Sequence, residues 1–264
     1  MIPICSKPRV MSNLICLLVT FFFFSCRFNN DQNSADLFSE TKQQFAFVKE
    51  IPPPEGYKRI KENKDSFGEW LKDIQLKKDD HVYLYDGSLK KRQCVQFAVL
   101  DISVGKKDLQ QCADAVMRLR AEYLFSHKRF DEIAFTDNNG RSYSWKGKDN
   151  RIAFDKYLEN VFSWCGTASL EKQLRPVENI NDIKPGDVFI KGGFPGHAMI
   201  VMDVAISKEG KKLFMLAQSY MPAQDIHIVK NPVNEKLSPW YELNDDEDIT
   251  TPEWIFNISH LRTW

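Results

Sequence analysis

The apolar pattern that predicts the central strands of this 264-residue chain lies between residues 186 and 229. Residues 188–190 are apolar, residues 198–204 are almost continuously apolar, and a third apolar run covers residues 212–218. Short runs of this kind, bounded by turn residues, predict strands of a sheet. Four turn formers, at positions 192, 193, 195 and 196, force a tight connection between the first two strands. His197 is therefore predicted to lie where a strand leaves a glycine-rich turn, and Gln218 at the end of the following strand.

The clearest helix signal covers residues 108–125. Asp108 followed three positions later by Gln111 has the spacing of a capping box, and strong helix formers follow. Cys112 is then predicted in the first helical turn. It also begins an apolar stripe with Val116 and Leu119, and a cysteine on such a stripe is commonly a small buried hydrophobe. Asp114, Arg118 and Glu122, spaced four apart, are predicted to form a solvated ladder of ion pairs, a set of interactions that contributes little stability.

Weaker patterns complete a prediction of α+β structure in residues 45–264. Helices are expected near residues 67–74 and 154–162, with a short helical turn capped by Ser169; strands are expected at 45–51, 81–85 and 95–102. The aromatic-rich segment 231–264 is expected to complete the core and close one end of the domain. The whole predicts a single domain in which a helix packs on an antiparallel sheet.

Composition narrows the range of functions. The chain has 36 basic and 36 acidic side chains, so its net charge of zero gives no reason to expect a nucleic-acid partner. The hydrophobic fraction of 43% is that of an ordinary globular protein. No spacing such as HExxH or CxxC is present, and we expect neither a metal nor a cofactor. The oligomeric state stays open.

The amino terminus has the three regions of a secretory signal. Lys7 and Arg9 precede an apolar run of 11 residues at 14–24, which is too short to cross a bilayer as a helix. Ser25 before Cys26 resembles a bacterial lipobox, and the resemblance implies cleavage before Cys26 and a lipid on its sulfur. Residues 1–25 would then be a signal peptide and residues 26–44 a tether that anchors the domain to a membrane of the bacterial cell envelope. The alternative is a plain signal peptide in which Cys26 is incidental.

The cysteine count points to a free thiol. With Cys5 and Cys16 removed and Cys26 lipidated, Cys94, Cys112 and Cys165 remain. An odd number of cysteines in an oxidising compartment cannot all pair within one chain.

Cys112, His197 and Gln218 together have the residue types of a nucleophilic site. A cysteine hydrolase needs a thiol, an imidazole that takes its proton and a polar group that orients the imidazole. Amide dipoles at a helix start favour a negative charge, so a thiol there ionises more easily. Backbone amides near Gln111 and Cys112 could bind the oxyanion. We therefore predict Cys112 as the nucleophile, His197 as the general base and Gln218 as the residue that orients the base.

The order of a helix-start cysteine, a strand-start histidine and a polar residue resembles papain-like hydrolases, in particular the NlpC-type and CHAP amidases. Cys112 at the helix start, Gly186-Asp187 and the run from Gly196 to Ala198 carry the resemblance. It implies a papain-like fold and a peptide or amide substrate, such as one in the cell wall. Gln111 stands where many NlpC-type motifs have an aspartate.

A second resemblance covers nearly all of the chain after the tether. The phrases LYDGSLK, DLQQCADAVMRLRAEYL, GDVFIKGG, PGHAMIV, LAQSYMPAQDIHI and TPEW are similar to those of a bacterial family known as a domain of unknown function, DUF4846. This resemblance implies no particular chemistry.

Other polar residues near the predicted site are candidates for binding. His227, with Asp225 two residues before it, could replace Gln218 as the orienting group. His197, His227 and Asp203 could instead hold a metal, a weaker interpretation. The residues predicted to contribute to binding are Gln111, Ser219, Tyr220, Gln224 and His227.

The main alternative to an enzyme is an envelope lipoprotein that binds a ligand or partner through residues 218–224. In that case Cys112 is only packed. A Cys112 pKa near the ordinary value of about 8.5, or above it, would favour this alternative.

Overall fold

The computed structural model describes residues 45–243 and 248–264. The predictions for the signal peptide, Cys26 and the tether lie outside these residues. Within the described part of the chain, no helix is long and apolar enough to cross a membrane.

The fold is α+β, with a large antiparallel sheet and four α-helices among the described residues. The helices are α1 (Phe67–Lys72), α2 (Cys112–Ser126), α3 (Arg151–Trp164) and α4 (Thr167–Gln173). Short 3₁₀ helices cover Val48–Glu50, Phe130–Glu132, Ile180–Asp182 and Ile258–His260.

Thirteen strands are present in the same residues. In chain order they are β1 (Tyr57–Arg59), β2 (Gln96–Val99), β3 (Ala134–Thr136), β4 (Ser142–Ser144), β5 (Arg175–Pro176), β6 (Val188–Lys191), β7 (His197–Ser207), β8 (Lys212–Gln218), β9 (His227–Val229), β10 (Trp240–Glu242), β11 (Asp248–Thr250), β12 (Ile255–Asn257) and β13 (Leu261–Thr263). The main sheet has the order β2-β9-β8-β7-β6-β13-β5; β1 pairs with the far end of β7, and β10 pairs with β8. The pairs β3–β4 and β11–β12 form separate antiparallel ribbons.

Strand β7 is the centre of the core. Ala198 and Ile200 belong to the larger hydrophobic cluster, which also contains α2, whereas Met199 and Val201 belong to a second cluster on the other face of the sheet. A strand covered on both faces needs apolar residues at every position, which explains its nearly continuous apolar run. Burial of each large side chain contributes about 1.5–3 kcal/mol. The two strands predicted around the glycine-rich turn are thus β6 and β7.

Helix α2 begins later than its predicted cap. Gln111 is the N-cap, and the Asp114 carboxylate accepts a hydrogen bond from the Gln111 N–H at 3.1 Å. The predicted capping pair of Asp108 and Gln111 is therefore wrong: Asp108 lies before the helix, where its carboxylate accepts from the Gln111 side chain and from Ala223 N–H. The predicted ion-pair ladder is correct for Arg118 and Glu122 only, because Asp114 is buried.

Three weaker predictions also need correction. Residues 45–51 make only an isolated bridge between Phe47 and Gln75, because the N–H groups of Glu50 and Ile51 bond to Phe47 O and Val48 O in a 3₁₀ helix. Residues 81–85 make only isolated bridges, because the tight turn at Gly87 limits their pairing. Helix α4 has Gly166 as its N-cap, with Ser169 three residues inside it. Local patterns cannot reveal such effects of tertiary contacts.

The aromatic carboxyl-terminal segment belongs to the core. Trp240 and Tyr241 lie on β10, and Phe256 on β12 is completely buried in the second cluster. Strand β13 pairs with β6 and β5 and so extends the sheet beyond the glycine-rich turn. This segment brings aromatic side chains to the same sheet face as His197.

Candidate functional site

Cys112 is the first residue of α2, and its thiol is free and 9% exposed. Burial, followed by the nearby Asp114 carboxyl, raises the Cys112 pKa to about 11, while backbone N–H groups of Ala113, Ala198 and Cys112 hydrogen-bond the sulfur and oppose the shift. The N–H of Ala198 belongs to the second residue of β7. The helix start and the strand start therefore meet at the sulfur.

His197 is the first residue of β7 and is only 1% exposed. Three aromatic rings surround its imidazole: Tyr220 at 4.9 Å, Trp254 at 5.3 Å and Phe256 at 5.8 Å between ring centroids. This burial lowers the His197 pKa to about 4. The hydrogen bond that His197 donates to Gln218 opposes the shift, and the charge of Lys90 adds to it. At neutral pH both the thiol and the imidazole are therefore uncharged.

Gln218 fixes which ring nitrogen of His197 carries the proton. Gln218 Nε2 donates to Glu253 Oε2 at 2.7 Å, and a carboxylate can only accept, so the orientation of the Gln218 amide is determined. Gln218 Oε1 then accepts from His197 Nε2 at 2.8 Å. With its proton on Nε2, the imidazole has its lone pair on Nδ1. A free Nδ1 lone pair is what a general base requires.

Glu253 in turn is held by Lys90. The Lys90 ammonium donates to Glu253 Oε2 at 2.6 Å, and the side chains of Lys90 and Glu253 are 8% and 11% exposed. Neither residue was predicted from the sequence as part of the site. Both lie in phrases that carried the whole-chain resemblance, LYDGSLK and TPEW, which was the only signal available. Lys90 binds Glu253 and Glu253 binds Gln218, so hydrogen bonds connect three segments that are distant along the chain.

His227 does not take the place of Gln218 as the group that orients His197. Its Nε2 lies 3.4 Å from Gln218 Nε2, and its Nδ1 hydrogen-bonds the backbone carbonyl of Asp225 at 2.9 Å. The Asp225 carboxylate binds Lys77 and the Tyr83 N–H instead. The side chain that hydrogen-bonds the His197 ring is therefore Gln218 and not His227. Burial lowers the His227 pKa to about 3.

The three residues considered as metal ligands, His197, His227 and Asp203, do not converge on one point. Asp203 pairs with Arg59 at 2.5 Å, and Gln218 lies between the two histidines. His197, His227 and Asp203 are thus engaged with different partners.

A cleft of about 230 Å³ opens beside Cys112. It is formed by the start of α2, the junction of α3 and α4, the β6–β7 turn and the β8–β9 loop. The residues that line it are Asp108, Leu109, Gln111, Cys112, Ala113, Asp114, Phe162, Cys165, Gly166, Thr167, Gly193, Phe194, Pro195, Gly196 and Met221.

Glycines allow the β6–β7 turn to pack directly on α4. A Cβ atom at Gly196 would lie 2.5 Å from Thr167 Oγ1 and from Gly193 O, and one at Gly192 would lie 2.9 Å from the Ala168 Cα. Both distances are shorter than van der Waals contact, so only glycine fits. The close packing holds His197 and the cleft wall in place.

The predicted binding residues fall into two groups, those at the cleft or against the His197 ring and those buried behind the loop. Gln111 lines the cleft, and Tyr220 is half-buried against the His197 ring. Ser219, Gln224 and His227 are almost completely buried, and Ser219 Oγ hydrogen-bonds Gln110 O and Gln224 O. These three side chains therefore support the loop from within and do not line the cleft.

Two cleft residues were not predicted as functional. Asp114 is buried, its Oδ1 has no hydrogen-bond partner among the described residues, and burial raises its pKa well above the ordinary range. Cys165 is a second buried free thiol. Its position just after α3 gave no sequence signal that it would face the same cleft as Cys112.

The thiol of Cys112 and the ring of His197 are not in contact among the described residues. The sulfur lies near the backbone N–H of Ala198, a residue that faces the larger cluster together with α2. The His197 ring faces the second cluster, where it packs on Trp254 and Phe256 and hydrogen-bonds Gln218. Distances in unliganded sites are often longer than catalysis requires, and a base at His197 would have to turn toward the thiol when a substrate binds.

Comparison with known protein families gives one match. The family described as "Domain of unknown function (4846)" matches residues 47–150 and 143–263. The chain belongs to this family. Searches of the curated proteins and of the solved structures found no match. The family confirms the whole-chain resemblance of the sequence phrases but assigns no chemistry, so any function has to be inferred from the site.

Proposed function

We propose that this chain is a lipid-anchored protein of the bacterial cell envelope whose domain is a papain-like cysteine hydrolase of peptide or amide bonds. One observation carries the proposal: a helix-start thiol lies beside the strand that begins with His197, and the hydrogen bonds of that histidine leave its Nδ1 lone pair free. The large antiparallel sheet with α2 packed on β7 is compatible with a papain-like arrangement.

In the proposed reaction, the Cys112 thiol gives its proton to His197 Nδ1 while the sulfur attacks the substrate carbonyl carbon. The carbonyl oxygen becomes an oxyanion, for which the N–H groups at the start of α2 are donors. The C–N bond then breaks, and the amine leaves with the proton from His197. Water, deprotonated by His197, finally hydrolyses the thioester and regenerates the thiol.

The electrostatics of the site favour proton transfer during the attack over a preformed ion pair. The Cys112 pKa of about 11 and the His197 pKa of about 4 both disfavour a resting thiolate–imidazolium pair. The imidazole is unprotonated over the whole physiological range, so its lone pair is available, and its lowered pKa makes it a weaker base than a histidine that titrates near pH 7. His197 accordingly acts as a general base in the way a histidine does beside a serine nucleophile.

Hydrolysis of fluorogenic peptide amides by the purified full-length chain tests this proposal. Cys112→Ala should reduce the rate at least about 10³-fold, because it removes the nucleophile. Cys165→Ala, the matched control in the same cleft, should change the rate only a few-fold. Undiminished hydrolysis by the Cys112→Ala protein would refute the proposed role of Cys112.

The lipid anchor has a separate test. Metabolic labelling with a palmitate analogue should mark the wild-type chain, and Cys26→Ser should abolish both the label and recovery in the membrane fraction. Labelling that persists in the Cys26→Ser protein would contradict anchoring through this residue.

The raised pKa of Cys112 favours a second candidate function, a non-catalytic envelope protein that binds a ligand or partner next to the β8–β9 loop. Of the predicted binding loop, Tyr220 and Met221 are accessible, and Met221 lines the cleft. A thiol that reacts with a reagent only after unfolding, together with no amide hydrolysis, would favour this second function.

A further inference from the structure

Two large apolar side chains stand exposed at the Cys112 cleft. Phe194, at the tip of the turn between β6 and β7, is fully exposed, and Met221, in the loop between β8 and β9, is 60% exposed. Both line the cleft together with Cys112. The fold gains little from either side chain, since neither is removed from water.

Single exposed apolar residues are ordinary, and Val233, at 74% exposure, is an example that does not line this cleft. The position of Phe194 and Met221 is different, because two separate loops bring them to one concave site that contains a thiol. Exposed apolar groups that converge on a cleft are typical of surfaces that contact a ligand.

The charges of the cleft restrict that ligand. The titratable side chains that line it are the carboxyls of Asp108 and Asp114 and two thiols with raised pKa values; no lysine, arginine or histidine side chain is among the lining residues. An acidic group entering the cleft would lose water without gaining a cationic partner. Charge complementarity therefore favours a neutral or basic occupant.

The size and polar groups of the cleft suit a short piece of peptide. Its volume of about 230 Å³ is below the range of about 300–1,000 Å³ common for small-molecule sites. The neutral side chains of Gln111 and Thr167 offer hydrogen bonds to backbone amides. One bulky side chain with its adjoining backbone is an occupant of the right size.

We infer that the cleft binds an extended peptide segment that carries a bulky apolar residue and no acidic residue, with the apolar side chain packed against Phe194 and Met221 beside Cys112. The inference rests on the proposed function in that it takes Cys112 as the reacting centre. It adds the substrate class, and peptide binding can be measured without any catalysis.

Binding to the full-length Cys112→Ala protein provides the test. Fluorescein-labelled peptides Gly-Ser-Gly-X-Gly-Ser-Gly, where X is phenylalanine, glycine, glutamate or lysine, are titrated and followed by fluorescence anisotropy. We expect the phenylalanine peptide to bind about ten-fold more tightly than the glycine peptide, because an apolar side chain leaves water. The glutamate peptide should bind more weakly than the lysine peptide.

Substitutions at the two exposed residues localise the effect. Phe194→Ser and Met221→Ser, added separately to the Cys112→Ala protein, should each remove most of the phenylalanine preference. Neither side chain is packed in the core, so both variants should fold. Val233→Ser is the matched exposed control and should leave the preference unchanged.

The outcomes separate this inference from the proposed function. Equal affinity for all four peptides, or a preference that survives both Phe194→Ser and Met221→Ser, would overturn the inference. A preference that depends on Phe194 and Met221, in a protein whose wild-type form hydrolyses no amide, would support the inference and count against the hydrolase.

Discussion

Two buried free thiols line the same cleft, yet their surroundings differ. Cys112 begins α2, where backbone N–H groups of Ala113, Ala198 and Cys112 itself oppose the rise of its pKa. Cys165 follows the last residue of α3 as its C-cap, where helix carbonyls accumulate negative partial charge. Burial, then the Asp137 and Asp114 carboxylates, raise the Cys165 pKa to about 12, and no hydrogen bond opposes the shift.

Burial is the largest cause of the raised pKa of both thiols, so what distinguishes Cys112 is the set of backbone N–H groups at the start of α2 and β7 that oppose the rise. Cys112 and Cys165 are about equally buried, at 9% and 7% exposure. Of these two thiols, Cys112 is the one with backbone N–H groups, including that of Ala198 next to His197 in the chain, near its sulfur. Changing the residues that orient His197, or titrating the two thiols, tests this contrast.

Among substitutions outside Cys112 and His197, the largest expected effect comes from the ion pair that orients Gln218. The double substitution Glu253→Leu with Lys90→Met replaces a buried ion pair by apolar groups of similar size, which often preserves folding. Without Glu253 the Gln218 amide can rotate and present its N–H groups to His197, which moves the proton to Nδ1. We expect the acylation rate of Cys112 to fall about 10- to 100-fold, as is typical for residues that orient a site from outside it.

Glu253→Gln is the matched control for this prediction. Its side-chain carbonyl can still accept from Gln218 and Lys90, so the rate should stay within a few-fold of wild type. The ¹⁵N chemical shifts of the His197 ring give an independent readout, because they report which nitrogen carries the proton. Unchanged shifts in the double variant would contradict the orienting role of Glu253.

A smaller effect is expected in the alkylation of the two thiols by iodoacetamide. Only the thiolate reacts, so below pH 11 each thiol should react about ten-fold faster for every unit by which the pH rises. Because the Cys112 pKa of about 11 lies below the Cys165 pKa of about 12, Cys112 should react faster at the same pH, by a few-fold, since the greater fraction of thiolate is partly offset by its lower nucleophilicity. Peptide mapping by mass spectrometry measures both rates in one sample. A Cys112 rate that is constant from pH 5 to 9 would indicate a preformed thiolate and contradict the neutral resting pair.

The sequence could predict those parts of the site that depend on local patterns. Helix formers after Gln111 place Cys112 at a helix start, and the glycine-rich turn before β7 places His197 at a strand start. The following apolar run ends at Gln218, and adjacent antiparallel strands bring the ends of such runs together. These relations follow from residue periods and turn chemistry alone.

The remaining parts depend on contacts between distant segments. Lys90 and Glu253 meet across 163 positions of the chain, and no local pattern marks either as a partner of Gln218. Asp114 has the helical spacing of a solvated ion-pair partner of Arg118. In the structure it instead accepts a hydrogen bond from Gln111, the N-cap of α2, and lines the cleft. Phe194 and Met221 look like ordinary loop residues until the loops are seen around one thiol.

The most direct test of whether Cys112 is a nucleophile that His197 activates is to trap the acyl-enzyme. The full-length protein is mixed with p-nitrophenyl acetate, which would transfer its acetyl group to a nucleophilic thiol and release nitrophenolate, and the modified residue is identified by mass spectrometry. If Cys112 is the nucleophile and His197 its base, we expect a burst of nitrophenolate and a thioester on Cys112 but no thioester on Cys165. His197→Ala should reduce the rate of acetylation about 10²- to 10⁴-fold. Acetylation of Cys165 at an equal rate, or of Cys112 at a rate indifferent to His197→Ala, would contradict these roles.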